Sequence, residues 1–568
     1  MHQKDGTIPP WQQGIPQKTM KKNILMYSSV AMLVFSGIAS AQQPFSREVN
    51  VNGGKLLQEM KSVKMELENE KDLIPTVQPS VPVVQKTTKK ADIKQISIEG
   101  NTKLPFSVLS ELTKKYEKEV TMSELHELCD LITQKYREKG FLLAKSYIPP
   151  QEVVDGKIKI IVMEGYYDKV NVLNKSLIEN SHVNGYFQSL SKGNAIQSDE
   201  LQRQLLLVND LKGVFIKSML KPGSEKGTSS LDIEVTQEER VNGFVTVDNS
   251  NNKYTDPVRT VGSINIISPL SRGDLITLTG ATSGKRMMYG QANYQTPIDY
   301  DGVVVGGSLS ALSYKLGDDY EILDATGTAT TEGLFASYPL IRSRDKNLSV
   351  QIDYNHKNMT DKIGVTELES KKKLDTIVPS FIYKESRWGG LTRVNASVSL
   401  GVVGLDNENA DEYNTEGSYN KIFADISRIQ PLSSDFLLYG KVSGQTSGKN
   451  LDSAEKMSLG GPYGVRAYPQ GESSSDEAVM ANVELQYHLL PSVDFTLFYD
   501  FASGKTEKEV LSSDKNNTHK LSGTGLGVAY HAPYGFEFNA TAAWKLGDEP
   551  TSDNNKSPRI WAGISKTF

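Results

Sequence analysis

Cysteine is almost missing from this chain of 568 residues: Cys129 is the only one, so no internal disulfide can form. A chain of this length buries enough apolar surface to do without one. Charge imbalance is missing too, since 63 Lys and Arg against 68 Asp and Glu leave a net charge of -5. That is no footprint for a nucleic acid. Beyond Ala41 no stretch approaches the roughly 20 apolar residues of a membrane helix, which excludes a helical span in the mature part. Histidine is scarce, seven residues scattered without metal-ligand spacing. No nucleophile elbow or fixed acid pair stands out. "GATSGKR", Gly280 to Arg286, is one residue short of a phosphate loop and has Arg where a magnesium-binding Ser or Thr belongs. "GTGLG", Gly523 to Gly527, falls inside an alternating strand, where glycines relieve crowding. The expectation is a protein that is not an enzyme and binds no cofactor, metal or nucleic acid. Cys129, at helical spacing from Leu125, Leu128 and Ile132, is expected to be a buried small side chain and not a reactive thiol.

What is present falls into segments. Residues 1–41 end in an export signal: Lys21 and Lys22, an apolar run from Ile24 to Ile38, then Ala39, Ser40 and Ala41, with Met20 as an alternative start to Met1. Residues 42–73 are charged and helix-prone, with Leu56, Met60, Val63 and Leu67 on one narrow stripe. Residues 74–91, with three prolines and no periodicity, read as an extended linker. Two similar modules follow, 92–166 and 167–238. Each reads βααββ. The first has the strand "IKQISIEGN", two helices and the strands Ala144 to Ile148 and Lys157 to Met163. Its second helix opens with a capping box, Thr121 with Glu124. The other has the strand "YDKVNVLN", helices over Leu177 to Leu190 and Ser198 to Leu211, and strands over Val214 to Leu220 and Ser230 to Thr236.

From 239 to 568 the texture becomes short runs of period two. "VMANVELQYHLL" sets Val479, Ala481, Val483, Leu485 and Tyr487 against Met480, Asn482, Glu484, Gln486 and His488, and "GFEFNATAAWK" and "MYGQANYQ" do likewise. Sheet with one apolar and one polar face, repeated this long on an exported chain, implies a closed antiparallel transmembrane barrel of about 16 strands with a wet lumen. In the last strand Ile560, Ala562, Ile564 and Phe568 fit an outward face, while Lys566 breaks it. A soluble β-sandwich or solenoid also alternates, but would show a clearer repeat or a more aromatic core.

Against that frame, "VRAY" (Val465, Arg466, Ala467, Tyr468), "LFYDFASG" (Leu497 to Gly504) and "VTVDNSNNKYTDPVRTVGSINIISPLSRGD" carry a resemblance. Together with the signal, helix, linker and paired modules, the chain resembles the outer-membrane transporters of two-partner secretion, the ShlB/FhaC/HecB type with POTRA modules. The resemblance implies a mainly β chain that sits in the outer membrane of a Gram-negative bacterium with its POTRA modules in the periplasm. It implies export of a large β-rich exoprotein, a haemolysin or adhesin, driven without nucleotide. Further partners would be outer-membrane lipid and the barrel-assembly machinery that inserts the chain. By the same resemblance Arg466 lies on a loop folded into the lumen, with Asp500 on the wall as its partner. Strand parity agrees, setting Asp494, Thr496, Phe498 and Asp500 on one side. The family's usual glycine is Ala467 here; a positive φ at that position would cost alanine about 1 kcal/mol, and the loop conformation is expected to tolerate it. Cargo would add to a free module edge, at Ala144, Lys145, Ser146, Tyr147 and Ile148 or at Val214, Phe215, Ile216 and Lys217 up to Leu220. The helix of residues 42–73 would plug the lumen. The alternative is a factor that inserts other barrels; such relatives commonly carry more modules and lack the plug and linker. A passive solute channel leaves the two modules unexplained.

Overall fold

The computed structural model describes residues 90–406, 411, 413–511, 517–553 and 556–568. The plug stripe of Leu56, Met60, Val63 and Leu67 therefore lies outside the described residues, as does the export signal.

In the first module the strands Gln95–Glu99, Lys157–Met163 and Lys145–Tyr147 form a sheet in that order, the first pair parallel and the second antiparallel. Alternation sends Ile96, Ile98, Ile158, Ile160 and Val162 inward, where helix Met122–Glu138 lays Leu125, Leu128, Ile132 and Tyr136 over them. Burying each such side chain contributes about 1.5–3 kcal/mol. The helix starts where its capping box closes: Thr121 N–H donates to Glu124 at 2.6 Å, and Glu124 N–H donates to the Thr121 hydroxyl at 3.3 Å. Cys129 sits in this core, and burial pushes its thiol up to about 11. A short ribbon pairing Lys90–Asp92 with Glu119–Thr121 was not legible, being too short and charged to show a period.

The second module repeats the pattern with Tyr166–Lys175, Thr228–Gln237 and Val214–Pro222 in that sheet order. Helix Ser198–Asp210 buries Leu201, Leu205 and Val208. The helix expected over Leu177 to Leu190 is only Asn180–Gly185. It begins without a side-chain cap, and beyond it Tyr186, Phe187 and Leu190 turn straight into the core. Gly185 also lies against the Tyr300 ring, where a Cβ would come within 2.2 Å, so tertiary packing overrides the helical period.

Between the modules Glu164 is buried and accepts from Thr102 Oγ1 (2.5 Å), Lys103 N (2.7 Å), Tyr136 Oη (2.9 Å) and Tyr166 Oη (2.6 Å). One carboxylate thus ties the first module to the start of the second. The second is fastened to three barrel turns. Glu179 N donates to Ser271 O (3.0 Å), Arg203 Nη2 to Asp301 O (2.9 Å), and Arg342 grips Asp210 through Nε and Nη2, both at 2.7 Å.

The barrel closes with 16 strands, each antiparallel to its neighbours, from Val241–Asp248 round to Arg559–Thr567. Its closing seam is brief, Gly563 to Thr567 against Asp248 to Phe244, whereas Lys346–Ile363 pairs along its whole length with Leu368 to Glu385. Outward positions such as Val479, Val483, Leu497 and Tyr499 are exposed and apolar, while Asn482, Glu484, Gln486 and Asp500 are buried inward. In the last strand Lys566 shares the outward side with Ile560, Ala562 and Ile564, at the module-side end, its Nζ 5.5 Å from the Phe536 ring. "GATSGKR" runs from a strand through a hairpin turn into the next strand, with no helix behind it to cradle a phosphate.

Candidate functional site

Between the strands Phe436–Ser447 and Glu477–Leu490 the chain makes its long loop, 448–476, and nearly all of it is buried inside the barrel. The fold of its tip is local. Gly461 takes φ +108°, open to glycine but strained for other residues, and Gly464 leaves room where a Cβ would meet Leu459 O at 2.3 Å. Val465 N then donates to Leu459 O (2.8 Å) and Tyr468 N to Val465 O (3.1 Å), a tight turn that puts Arg466 at its apex. Val465 and Tyr468 are buried on either side, and Tyr468 Oη donates to Asp548 O at 2.6 Å.

The apex meets the wall at Asp500. Arg466 donates to Asp500 Oδ2 from its main-chain N (3.0 Å) and Nε (2.8 Å), and to Oδ1 from Nη2 (2.7 Å). A fork matched to a carboxylate fixes direction as well as distance. The guanidinium carbon also lies 3.6 Å from the centre of the Phe498 ring, a cation stacked on a π face. The site is drier than a wet lumen suggests, with side-chain exposure of 13% for Arg466 and 0% for Asp500. Three contributors were missed from sequence. Glu484 accepts from Arg466 Nη1 at 2.7 Å, Asn482 bridges Gly464 O (3.0 Å) and Asp500 Oδ1 (2.8 Å), and Trp561 Nε1 donates to Arg466 O at 2.7 Å. Parity had placed Asn482 and Glu484 on the polar side, beside Asp500 and Phe498 in the register, but nothing local aimed them at the loop.

Ala467 is not among the residues with positive φ, so this backbone charges alanine no left-handed strain. Space is the tighter constraint. A Cβ at Gly523 would come within 2.5 Å of the Ala467 Cβ, and one at Gly525 within 2.4 Å of the Phe498 ring. The wall glycines of "GTGLG" are the sockets for the loop and for its stacking plate.

Both strands singled out as module edges lie at sheet edges, but they differ. Lys145–Tyr147 is three residues long, and the Ser146 N–H is already used, donating to Thr133 Oγ1 at 3.0 Å, with Ala144 and Ser146 buried against the helix. Val214–Pro222 spans nine residues, and Lys217 and Met219 are exposed. Ile148 lies beyond the short strand, packed against the first module's core.

Among the described residues no group of His, Cys, Asp and Glu is arranged to hold a metal ion. No helix of the described residues is long and apolar enough to cross a membrane.

Comparisons with known proteins bear on this architecture. The family model described as "Haemolysin secretion/activation protein ShlB/FhaC/HecB" matches residues 227–530, and that of the "POTRA domain, ShlB-type" matches 91–165. The heme/hemopexin transporter protein HuxB of Haemophilus influenzae is 28% identical over 500 residues, covering 84% of this chain and 87% of its own. The outer membrane transporter CdiB of Dickeya dadantii is 21% identical, covering 75% and 77%. The solved structure of CdiB from Escherichia coli superposes with a TM-score of 0.70 at 18% identity, covering 87% of this chain and 93% of that one. The family match spans more than half of the chain and takes in both Arg466 and Asp500. The chain belongs to the ShlB/FhaC/HecB family of haemolysin secretion/activation proteins, two-partner secretion transporters whose barrel spans the outer membrane and whose POTRA modules stand in the periplasm.

Proposed function

We propose that this transporter takes up one large secreted exoprotein by strand addition at Val214–Pro222 of the second module and passes it through the barrel beside the loop anchored at Arg466. The observation that carries the reading is where that edge begins. Gly213, immediately before it, packs against Ile267, and Lys212 N donates to Gly273 O at 3.2 Å, so the strand starts at the periplasmic rim of the barrel. A segment paired along it by main-chain hydrogen bonds is delivered to the lumen entrance. The edge at Lys145–Tyr147 is only three residues long and serves at most as a secondary contact. Arg466, with Asp500 and Glu484, holds the loop while cargo passes. Folding of the exported protein outside makes its return unfavourable. Insertion of the barrel itself uses the barrel-assembly machinery and outer-membrane lipid.

Among cargo classes, the 28% identity to a protein named as a heme/hemopexin transporter supports an exoprotein that handles haem or hemopexin. The test is a proline scan from Val214 to Leu220, reading capture of the partner exoprotein by the periplasmic modules. Binding is lost while the modules stay folded; binding left unaltered rules this edge out.

A further inference from the structure

The lumen loop touches the barrel at a second place, which the Arg466 cluster does not explain. Its first arm, 448–456, crosses from strand Phe436–Ser447 to the wall made by Lys346–Ile363, Leu368–Arg387, Gly390–Leu405 and Gly417–Pro431, near their extracellular ends. Glu455 lies there between two lysines. Lys357 Nζ donates to Glu455 Oε1 at 2.6 Å. Lys421 Nζ donates to the Glu455 main-chain O at 2.8 Å and stands 2.9 Å from Oε2, close as a charge but not aligned as a hydrogen bond. None of the three side chains is more than 1% exposed. Alongside, Lys372 Nζ donates to Asp452 Oδ2 at 3.0 Å. Leu451 and Ala454 of the arm pack with Met359, Leu374, Val403 and Tyr419 of the wall.

Two lysines sealed around one glutamate are a poor device for stability, since apolar side chains of the same volume do as well or better. What ionic groups offer is reversibility: each regains its hydration when the partners separate, whereas an apolar face left open to water does not. The charged half of this interface is thus the half suited to parting. The loop's two attachments also lie on different walls, Arg466 on the strands from Glu477 to Thr567 and Glu455 on those from Lys346 to Pro431, so one can release while the other holds.

We propose that the arm around Glu455 is a releasable latch over the extracellular exit, separate from the Arg466 anchor, and that Lys357 and Lys421 beneath it form a ledge that accepts carboxylate side chains of an emerging polypeptide in exchange for Glu455. The latch stands on the contacts alone. The exchange rests on the export reading above, and the experiment separates the two.

Cys129 being the only cysteine, Cys129→Ser leaves a background in which Met359→Cys, a wall residue 3% exposed beneath the arm, reports whether the arm is down. Labelling by an impermeant maleimide applied outside cells carrying the full chain is expected to be slow in that background. It becomes at least about tenfold faster with Glu455→Gln, the response to a latch weakened by one tenfold step in its equilibrium. Heat-modifiable migration verifies assembly, and where Glu455→Gln fails to assemble the pair Lys357→Gln and Lys421→Gln takes its place. With the protein in lipid vesicles, an oligoglutamate peptide on the extracellular side accelerates labelling and an oligoglutamine of equal length does not. Labelling in Glu455→Gln equal to the background overturns the latch. Equal effects of the two peptides overturn the carboxylate ledge. Export lost in Glu455→Gln as completely as in Arg466→Ala overturns the separation of latch from anchor. Failure of the Val214–Leu220 proline scan, with the labelling results intact, faults only the proposed route of entry.

Discussion

Asp500→Asn, ordinarily a mild change, should here be nearly as damaging as Asp500→Ala. The Asp500 carboxylate receives four donors: Arg466 main-chain N and Nε on Oδ2, and Arg466 Nη2 and Asn482 Nδ2 on Oδ1. An asparagine has one acceptor oxygen and one donor nitrogen, so either rotamer points its NH2 at two N–H groups. Asn482 cannot adapt by turning over, because the same nitrogen also donates to Gly464 O at 3.0 Å. Breaking a buried ion pair by removing one partner costs about 3–5 kcal/mol. Glu484 remains 2.7 Å from Nη1 and keeps the guanidinium partly compensated, so the loss should sit near the lower end, about 3 kcal/mol. Glu484→Gln keeps an acceptor for Nη1 and should cost nearer to about 1 kcal/mol. The assay is urea unfolding of the full chain from lipid vesicles, in a double-mutant cycle of Arg466→Ala with Asp500→Ala, alongside export of the partner protein. Coupling of at least about 2 kcal/mol is expected, with export lost in both single variants while the barrel still inserts. Zero coupling, or an Asp500→Asn protein as stable and active as the parent, would refute the reasoning.

Other expectations are independent of that pair. Gly523→Val should displace Ala467 and Gly525→Leu should displace the Phe498 plate, so both variants insert but expose the loop to added protease faster than the parent. At Glu164 burial pushes the carboxyl up, but hydrogen bonds from Thr102, Tyr166, the Lys103 N–H and Tyr136 outweigh it and leave it below the usual carboxylate range. Its contribution is complete above the unfolded glutamate pKa of about 4.3 and is lost as pH falls through the lower folded value, so Glu164→Gln should flatten the acid limb of a plot of Tm against pH. Deleting Ser46 to Asp72, outside the described residues, should raise single-channel conductance in planar bilayers if that segment plugs the lumen; conductance equal to that of the intact protein excludes a plug. Protease should spare residues beyond about 241 in intact outer membranes, and a carbonate wash should not release the chain.

The barrel was legible because lipid and lumen impose opposite chemistry on alternate residues. Parity in "VDFTLFYDF" was enough to put Asp500 and Phe498 on the inner wall. Phe498 carried a further signal: an aromatic on an otherwise polar face is a natural plate for a cation, and the guanidinium lies 3.6 Å above it. Glu484 and Trp561 were on legible faces, but their aim is set by how loop 448–476 folds, and that information lies in other strands. The same limit hid the latch. Lys357 alternates inward with Asp353, Asn355 and Met359 like any lumen residue, and only the arm, 98 positions later in the chain, makes it a buried ion partner.

At Ala467 the tolerance expected from the sequence has a reason the sequence did not show. A family glycine suggests a backbone that only glycine can adopt, yet Ala467 needs no positive φ, and the glycine this site depends on is Gly523 across the wall. Close packing between a loop and a wall needs one small residue at the point of contact, and either side can supply it. In this chain the loop carries the methyl group and the wall gives way. A larger residue at 467 should therefore fail by contact with the strand at 523 and not by backbone strain: Ala467→Gly should be nearly silent, and Ala467→Val should resemble Gly523→Val in protease exposure of the loop. If Ala467→Gly instead changes export strongly while Ala467→Val is tolerated, conformation and not space governs the position.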